Sequence, residues 1–265
     1  MKIIDAHTHI FPDKIAVKAS GNIGAFYGIP MHTDAMVKTL LKEGATIGTE
    51  RFLVCSSAVT PDQTVHINNF IAKSCSEHPQ LIGLGALHPD YEDISGELDR
   101  ITELGLIGVK FHNDFQKFPI DDDKALPMYR EIARRGLPVL FHMGDKRYDF
   151  TGPKRLRNLM LKVPDLKVQA AHFGGYSQWD EVECLPKDPK RLVFDTSSSL
   201  AFMDIEKAKR LVDRFGVESF LFGTDFPMWN AKKELERNLS LGLSEAENKL
   251  LFAENFIRFY QIQFM

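Results

Sequence analysis

The chain has 265 residues, of which 44% are hydrophobic and 26% are charged, so it is long enough to bury the core of one large globular domain. Its formal net charge of −3 excludes the strongly basic balance expected of a protein that binds nucleic acid or an anionic membrane surface. The three cysteines are too few and too scattered for a disulfide framework or a paired-cysteine metal site.

Polar residues interrupt the apolar run at the beginning of the sequence. Asp5, His7 and His9 stand within MKIIDAHTHIF, which makes this segment a poor signal peptide. No stretch of the sequence approaches the roughly 20 apolar residues needed to cross a bilayer. We therefore expect a cytoplasmic protein that acts on a small molecule, without a nucleic-acid or membrane partner.

Short apolar runs rich in valine, isoleucine, leucine and phenylalanine recur along the chain and predict strands that are buried on both faces. In chain order they are Lys2–Ile10, Arg51–Ser57, Leu81–Leu87, Gly108–His112, Pro138–Met143, Lys167–Phe173, Leu192–Ser197 and Ser219–Phe226.

Segments with a 3.6-residue apolar repeat follow these strands and predict helices. They are Thr33–Glu43, Pro61–Glu77, Ile94–Leu104, Lys124–Arg135, Pro153–Lys162, Ser177–Leu185, Asp204–Phe215, Ala231–Leu241 and Ser244–Tyr260. We predict irregular structure over Phe11–His32, in the form of a long loop between the first strand and its helix. Long loops at the top of a barrel are commonly functional.

A strand followed by a helix, eight times over, indicates an α/β protein with a parallel sheet. Eight right-handed crossovers close most simply as a (β/α)8 TIM barrel, and a doubly wound open sheet is the alternative. The sequence shows no linker, repeat or low-complexity tract that would divide it, so we predict one domain over residues 1–265.

Residues that commonly ligate metals end several predicted strands, at the carboxyl ends where barrel active sites form. His7 and His9 end the first strand, and His142 and His172 end the fifth and sixth. Residues i and i+2 of a strand point to the same side, so the imidazoles of His7 and His9 can converge on one ion. A chance His-X-His with hydrogen-bonded rings is the alternative, but the shared position of all four histidines favours a metal site.

Asp225 ends the apolar run FLFGTDFP, where an unpaired carboxylate would be costly to bury. A cation offsets that cost, and three histidines with one carboxylate suit Zn²⁺ or another borderline divalent ion. The alternative is an aspartate that caps the turn before Pro227. Asp195 and Ser197 close the seventh strand, where they either line the pocket or cap the next loop.

Three further residues are candidates for substrate binding. Lys110 and His112 share one face of the fourth strand, and Lys110 can bind a substrate carboxylate or carbonyl if its ammonium reaches the barrel mouth. The alternative is a lysine that snorkels at the rim. Trp229 follows Asp225 and is either a wall of the substrate pocket or a packing residue.

Several motifs together resemble the amidohydrolase superfamily. They are IIDAHTHIF, GVKFH, the FH of the fifth strand, AHFGG and FGTDFP. The resemblance runs from Ile3 to the C-terminal AENFIRFY, so it covers essentially the whole chain. It is closest to the amidohydrolase-2 branch, which contains aminocarboxymuconate semialdehyde decarboxylase. Such a resemblance implies a metal-dependent enzyme, either a hydrolase or a carboxy-lyase.

The resemblance also implies roles for the matching residues. His7, His9, His142 and Asp225 would ligate a single divalent ion, with zinc expected and manganese as the alternative. His172 would stand beside the ion as an acid–base or electrostatic group.

Two further implications concern the metal count and the assembly. Lys110 lies on the strand that carries a carbamylated bridging lysine in binuclear members, so a second ion would follow from its carbamylation. Dimers are frequent among similar proteins, so a homodimer is one assembly that the resemblance admits.

These roles predict a hydrolase that uses a metal-activated water on an amide, lactone or ester of a small anionic substrate. Asp225 would move the proton and His172 would stabilise the developing oxyanion. One alternative is a non-oxidative decarboxylase with the same metal and a flat aromatic slot; the candidate aromatic residues for its lining are Phe11, Phe26, Tyr27, Phe115 and Trp229. A non-catalytic metal- or ligand-binding barrel is the other alternative.

Overall fold

Parallel strands form the centre of the protein in a computed structural model, which describes residues 1–263. The strands are β1 (Ile3–His9), β2 (Thr49–Cys55), β3 (Leu81–Gly83), β4 (Gly85–Ala86), β5 (Val109–Phe111), β6 (Val139–Phe141), β7 (Val168–Ala170), β8 (Leu192–Asp195) and β9 (Phe220–Leu221). They pair in parallel as two runs, β1-β2-β3 and β4 to β9. The last two positions of the expected single domain lie outside the described residues.

Backbone hydrogen bonds join the two runs into a closed barrel. At one seam, β3 and β4 form one strand interrupted at Leu84, whose N–H donates to the Val54 carbonyl at 3.0 Å. At the other seam, the Ala6 N–H of β1 donates to the Phe222 carbonyl just after β9 at 2.8 Å. The eight predicted strands are therefore confirmed as a (β/α)8 barrel, and the open doubly wound sheet is excluded.

Helices surround the strands. They are α1 (Asp13–Tyr27), α2 (Val37–Ala45), α3 (Gln63–Glu77), α4 (Ile94–Glu103), α5 (Asn113–Gln116), α6 (Leu126–Arg134), α7 (Pro153–Lys162), α8 (Ile205–Phe215), α9 (Ala231–Leu239), α10 (Glu245–Lys249) and α11 (Asn255–Tyr260). The predicted helix Ser177–Leu185 is a short 3-10 helix over Trp179–Cys184, and a π-helical turn over Leu250–Glu254 separates α10 from α11. Among residues 1–263, no helix combines the length and apolar character needed to cross a bilayer.

The prediction of an irregular loop over Phe11–His32 is wrong, because most of it is helix α1. The buried residues of this helix are Ala16, Ser20 and Gly24. Small side chains let α1 lie close to the following chain: a Cβ at Gly24 would stand 2.8 Å from the Ile29 carbonyl oxygen. The sequence does carry a helical repeat here, in Ile15, Ala19, Ile23 and Phe26, which the prediction of a loop overlooked. These side chains face a cavity, and the face that packs on the protein carries only small residues.

The C-terminal helix fills part of the barrel interior. Phe256, Phe259 and Tyr260 of α11 pack with inward-facing strand residues, among them Ile4 at the amino end of β1. The Tyr260 hydroxyl donates to Gln169 Oε1 at 2.7 Å. This packing occupies the amino end of the barrel and leaves the carboxyl ends of the strands for a cavity.

Candidate metal centre

Three of the four predicted metal ligands are in direct contact at the carboxyl ends of the strands. Asp225 Oδ1 lies 3.1 Å from His9 Nε2 and 3.8 Å from His7 Nε2. The Asp225 N–H donates to the His7 carbonyl at 2.9 Å, so the seam that closes the barrel also holds the carboxylate against β1. Residues at opposite ends of the sequence are thus brought together by the ring of strands.

His172 connects the fourth predicted ligand, His142, to this group. His172 Nε2 lies 3.0 Å from His142 Nδ1, and the ring centroid of His172 lies 5.2 Å from that of His7. We refer to His7, His9, His142 and His172 as the histidine cluster. His142 joins the cluster through His172, beside which it stands with a ring-centroid distance of 4.9 Å.

Asp195, at the end of β8, orients the His7 ring. Its Oδ2 lies 3.0 Å from His7 Nδ1 and accepts a hydrogen bond from Gln169 Nε2 at 2.8 Å. Its Oδ1 accepts hydrogen bonds from the His172 N–H at 3.1 Å and from the Ser197 hydroxyl at 2.5 Å. Both carboxylate oxygens are therefore engaged, and Asp195 directs the other ring nitrogen of His7 toward Asp225.

Burial and neighbouring charges set the protonation of the cluster. Burial and the nearby Lys110 ammonium lower the pKa of His7 to about 4, and burial holds the pKa of His142 well below its usual range. Burial opposes the charged forms of His9 and Asp225 as well, but the partners of each outweigh it. Cys55 and Asp225 raise the pKa of His9 to about 9, and the two histidines of β1 keep the pKa of Asp225 well below its usual value.

This donor set fits a divalent metal ion. Burial keeps the His7 and His142 imidazoles neutral, and the ionised Asp225 carboxylate offers charge, which are the states that a metal requires of its ligands. His9, whose pKa is raised, would release its proton when the ion binds. Within residues 1–263, two sets of three residues have ligand atoms that all lie within 4.8 Å of one another. One set is His7, His9 and Cys55, and the other is His7, His172 and Asp195. Asp195 is already saturated with hydrogen bonds, and Cys55 Sγ lies 3.6 Å from His9 Nδ1, the ring nitrogen that does not contact Asp225. The Nε2 atoms of His7 and His9 and Oδ1 of Asp225 therefore remain the candidate ligands.

Lys110 contacts the cluster and does not line the cavity. Its side chain is completely buried, and its Nζ lies 3.1 Å from His7 Nε2. Burial lowers the pKa of its ammonium. Its predicted contact with substrate stays a prediction, because the observed partner is a candidate metal ligand.

A cavity of about 680 Å³ opens on the cluster. The polar residues on its wall include His9, His112, His142, His172 and Asp225. The His112 ring is stacked between Phe115, at a centroid distance of 3.7 Å, and His142, at 4.1 Å. The structure therefore places the predicted substrate-binding residue His112 on the cavity wall.

Trp229, the other aromatic candidate, stands outside this wall. Its Nε1 donates to the Ser198 hydroxyl at 2.8 Å, and that hydroxyl donates to Asp225 Oδ2 at 2.5 Å. The Ser198 hydroxyl thus lies between Trp229 and the candidate metal ligand Asp225, and the expected contact of Trp229 with substrate stays a prediction.

Two residues that contact His142 were not among the predicted catalytic, metal-ligating or substrate-binding residues, although Tyr27 was a candidate for the aromatic lining of a decarboxylase slot. Tyr27 Oη lies 2.8 Å from His112 Nε2 and 3.3 Å from His142 Nε2. Asp114 Oδ2 lies 3.4 Å from His142 Nε2, and burial raises the pKa of its carboxyl to about 7. Asp114 follows His112 by two positions, which was the available signal; no local pattern connects Tyr27 to the strands.

The backbone at the site adopts unusual conformations. His172, Ser198 and Asp225 have φ values of 61°, 51° and 56°, in the left-handed region that non-glycine residues seldom occupy. Such conformations persist only where the surrounding contacts enforce them, and they concentrate at functional sites.

Comparisons with known proteins agree with the fold. A family model described as amidohydrolase matches residues 4–262. No curated protein sequence matches the chain. The structure resembles 5-carboxyvanillate decarboxylase from Sphingomonas paucimobilis, with a TM-score of 0.77 and 14% identity over 99% of both chains.

Two more solved structures are similar. Dihydroxybenzoic acid decarboxylase from Polaromonas sp. JS666, with bound manganese and the inhibitor 2-nitroresorcinol, has a TM-score of 0.75 and 16% identity over 98% of this chain and 97% of that chain. A probable 2-pyrone-4,6-dicarboxylic acid hydrolase from Acinetobacter baumannii, with citric acid bound, has a TM-score of 0.74 and 15% identity over 99% of this chain and 100% of that chain. At these identities the likeness shows the fold.

Proposed function

Because the chain belongs to the amidohydrolase family, a family of metal-dependent enzymes, we propose that it is a metal-dependent hydrolase of an amide, lactone or ester. The observation that carries this proposal is the contact of Asp225 Oδ1 with His9 Nε2, at 3.1 Å, on the wall of the cavity. That contact puts a carboxylate able to move a proton beside imidazoles able to bind a metal. Family membership also argues against a non-catalytic barrel.

The ion would be held by His7, His9, His142 and Asp225. Zinc is our first choice, since three imidazoles and one carboxylate are ligands that zinc accepts. Manganese is the alternative, because the Polaromonas decarboxylase was solved with manganese bound. A divalent ion in such a site lowers the pKa of a bound water toward 7 and polarises a carbonyl oxygen. We propose one ion; a second would require a carbamate on Lys110.

The residues around the ion would handle the proton and the substrate oxygen. Asp225 is ionised, and the Ser198 hydroxyl holds its Oδ2, so Oδ1 would accept the proton of the attacking water and return it to the leaving group. His172, fixed by the Ser197 hydroxyl 2.9 Å from its Nδ1, would stabilise negative charge on the carbonyl oxygen. The Tyr27 hydroxyl would donate to the same substrate.

A decarboxylase is the second candidate, and the aromatic wall favours it. Phe115 stacks on His112 and meets Phe26 edge-on at a centroid distance of 4.7 Å, which provides flat surfaces for an aromatic acid. Two of the similar solved structures are decarboxylases of aromatic acids. In that reaction the bond between the ring and the carboxylate breaks, CO₂ leaves, and an acid delivers a proton to the carbon.

The first test is metal content, measured by elemental analysis on protein purified without chelators. Wild type is expected to hold about one equivalent, and the His7→Ala/His9→Ala double variant is expected to lose it. His78→Ala, outside the site, is the matched control. About two equivalents would bring Lys110 into the ligand set. No metal, even after reconstitution with Zn²⁺ or Mn²⁺, would overturn the proposal.

Loaded protein would then be screened against amides, lactones, esters and aromatic carboxylic acids, with product formation and CO₂ release measured in parallel. Release of CO₂ from an aromatic acid, without hydrolysis of any ester or amide, would replace the first candidate by the second.

We also propose that the protein is cytoplasmic and that its partner is a small-molecule substrate, without nucleic acid or a membrane. A homodimer is the assembly to test, and sedimentation velocity at several protein concentrations would measure it.

A further inference from the structure

The cavity has two chemically different parts. One part is lined by three members of the histidine cluster and by two carboxylates: His9, His142, His172, Asp114 and Asp225. The other part is lined by side chains of α1 and α3, which are mostly apolar although Asn22, Gln63 and His66 also contribute. We propose that the substrate carries a long apolar arm, an acyl or arylalkyl chain, which lies between α1 and α3 while its reactive head reaches the histidine cluster. This inference rests on the proposed function, because it names the substrate class of the same site.

Helix α1 forms one wall of this apolar channel. It directs Ile15, Ala19, Ile23 and Phe26 to the cavity. Spacings of four, four and three residues place these side chains on one face of a helix. From Ile15 to Phe26 the helix rises about 16 Å. Since the hydroxyl of Tyr27, the next residue, lies 3.3 Å from His142 Nε2, the wall begins at the histidine cluster and extends well beyond it.

Helix α3 and the residues before it contribute the second wall. Ile67 and Phe70 of α3 line the same cavity, together with Val59. Ile15 is 49% exposed and Val59 is 43% exposed, although both border a cavity of about 680 Å³. Contiguous apolar surface left open to water in this way marks a binding site, and this volume is within the usual range for small-molecule pockets.

The charges on the cavity wall argue against a small substrate with several carboxylates. Apart from the histidines, Lys117 is the one cationic side chain among the described residues that line the cavity, and two carboxylates, Asp114 and Asp225, line it as well. Arg147 is nearby but is engaged by Asp145 at 2.6 Å. Once Lys117 is paired, a further buried carboxylate on the substrate would lack a partner cation. The substrate class that we infer therefore differs from the small anionic substrate expected from the sequence.

The test uses a series of straight-chain hydroxamates, from acetohydroxamate to decanohydroxamate, and the matching carboxylates. Hydroxamates bind a metal through their head, and both series extend an apolar chain. Binding would be measured by titration calorimetry, which needs no turnover. We expect the affinity of hydroxamates to increase about fourfold with each added methylene that enters the channel.

Variants of α1 test whether the alkyl chain of the hydroxamate binds along this helix. Ile23→Asp is expected to bring the affinity ratio of decanohydroxamate to acetohydroxamate close to one, because a charge would stand on the channel wall. Ile23→Ala, which is expected to destabilise the folded state less, should lower that ratio severalfold. Val17→Asp is the matched control: Val17 is 64% exposed on the same helix, outside the cavity wall, and the ratio should not change.

Equal affinity for every chain length in wild type would overturn the inference, as would a chain-length dependence that survives Ile23→Asp. Failure of the metal centre has a different signature. In that case acetohydroxamate does not bind, while decanoate still binds more tightly than shorter carboxylates, and that tightening would support the channel.

Discussion

Tyr27 Oη, at the end of α1, lies 2.8 Å from Nε2 of His112, which follows β5. The same helix therefore forms the apolar wall and brings a hydroxyl to within 3.3 Å of His142 in the histidine cluster. Burial raises the pKa of Tyr27 well above its usual value, so the phenol keeps its proton and can donate it in a hydrogen bond. A substrate that occupies the channel would also meet this donor.

Tyr27→Phe is predicted to lower kcat by about tenfold to a hundredfold on any substrate found in the screen, because it removes one donor to the developing oxyanion. Steady-state kinetics would measure it. Tyr148→Phe is the matched control, since Tyr148 is exposed and its ring stacks on Phe26 at a centroid distance of 5.6 Å. Equal kcat values for Tyr27→Phe and wild type would remove Tyr27 from the chemistry.

Asp195→Asn is predicted to weaken metal binding by about tenfold to a hundredfold, because the carboxylate that orients His7 would be replaced by a neutral amide. Competition with a chromophoric chelator would measure the affinity for Zn²⁺. Asp188→Asn provides the control, because Asp188 pairs with Arg191 away from the cavity. If Asp195→Asn binds zinc as wild type does, His7 is held by its other contacts.

Much of the barrel was predictable because parallel strands that are buried on both faces appear in the sequence as continuous apolar runs. The position of Asp225 followed from the same pattern, since a carboxylate that ends such a run needs a partner. To predict the pairing of Asp225 with His9, one must also assume that the strands close into a barrel. Closure places the first and last strands side by side, as the 2.8 Å bond from Ala6 to Phe222 shows.

The rest depended on tertiary contacts that no local pattern records. Tyr27 belongs to a helix that packs on the protein through the small residues Ala16, Ser20 and Gly24. The apolar repeat of that helix faces the cavity, so it does not show that Tyr27 reaches the histidines. Lys110 was expected at the barrel mouth. An alternating strand pattern predicts on which face of the sheet a side chain lies, but it does not predict how far below the barrel mouth that side chain lies. Its depth is set by His7, whose ring its ammonium contacts.

Arg147→Ala is predicted to loosen the C-terminal end of α1. The Arg147 guanidinium lies 4.7 Å from the ring centroid of Phe26, and Nη1 donates to the Phe26 carbonyl at 2.7 Å. Because this side chain is partly exposed, we expect a loss of about 1 kcal/mol in local stability.

Hydrogen exchange measured by mass spectrometry on peptides covering Asp13–Tyr27 would detect this change as faster exchange. Arg134→Ala, which breaks an exposed pair with Glu131, should leave those peptides unchanged. Unchanged exchange in Arg147→Ala would mean that the small-residue face of α1 anchors it without the arginine.

Glu234→Gln is predicted to flatten the dependence of stability on pH. Glu234 on α9 is fully buried, and burial raises its pKa from 4.5 to about 7 although Arg237 pairs with it. The folded state therefore binds this proton more tightly than the unfolded state, so the contribution to stability is complete below the unfolded pKa of 4.5 and is lost as the pH rises through 7. Such a shift corresponds to at most about 3 kcal/mol.

Urea unfolding between about pH 5 and about pH 8 would measure the slope. The decline in the free energy of unfolding over this range should be smaller in Glu234→Gln than in wild type by about 1 to 3 kcal/mol. Glu236→Gln, exposed on the same helix, is the matched control and should keep the wild-type slope. The same decline in all three proteins would mean that Glu234 stays ionised in the folded state, with Arg237 compensating fully for its burial.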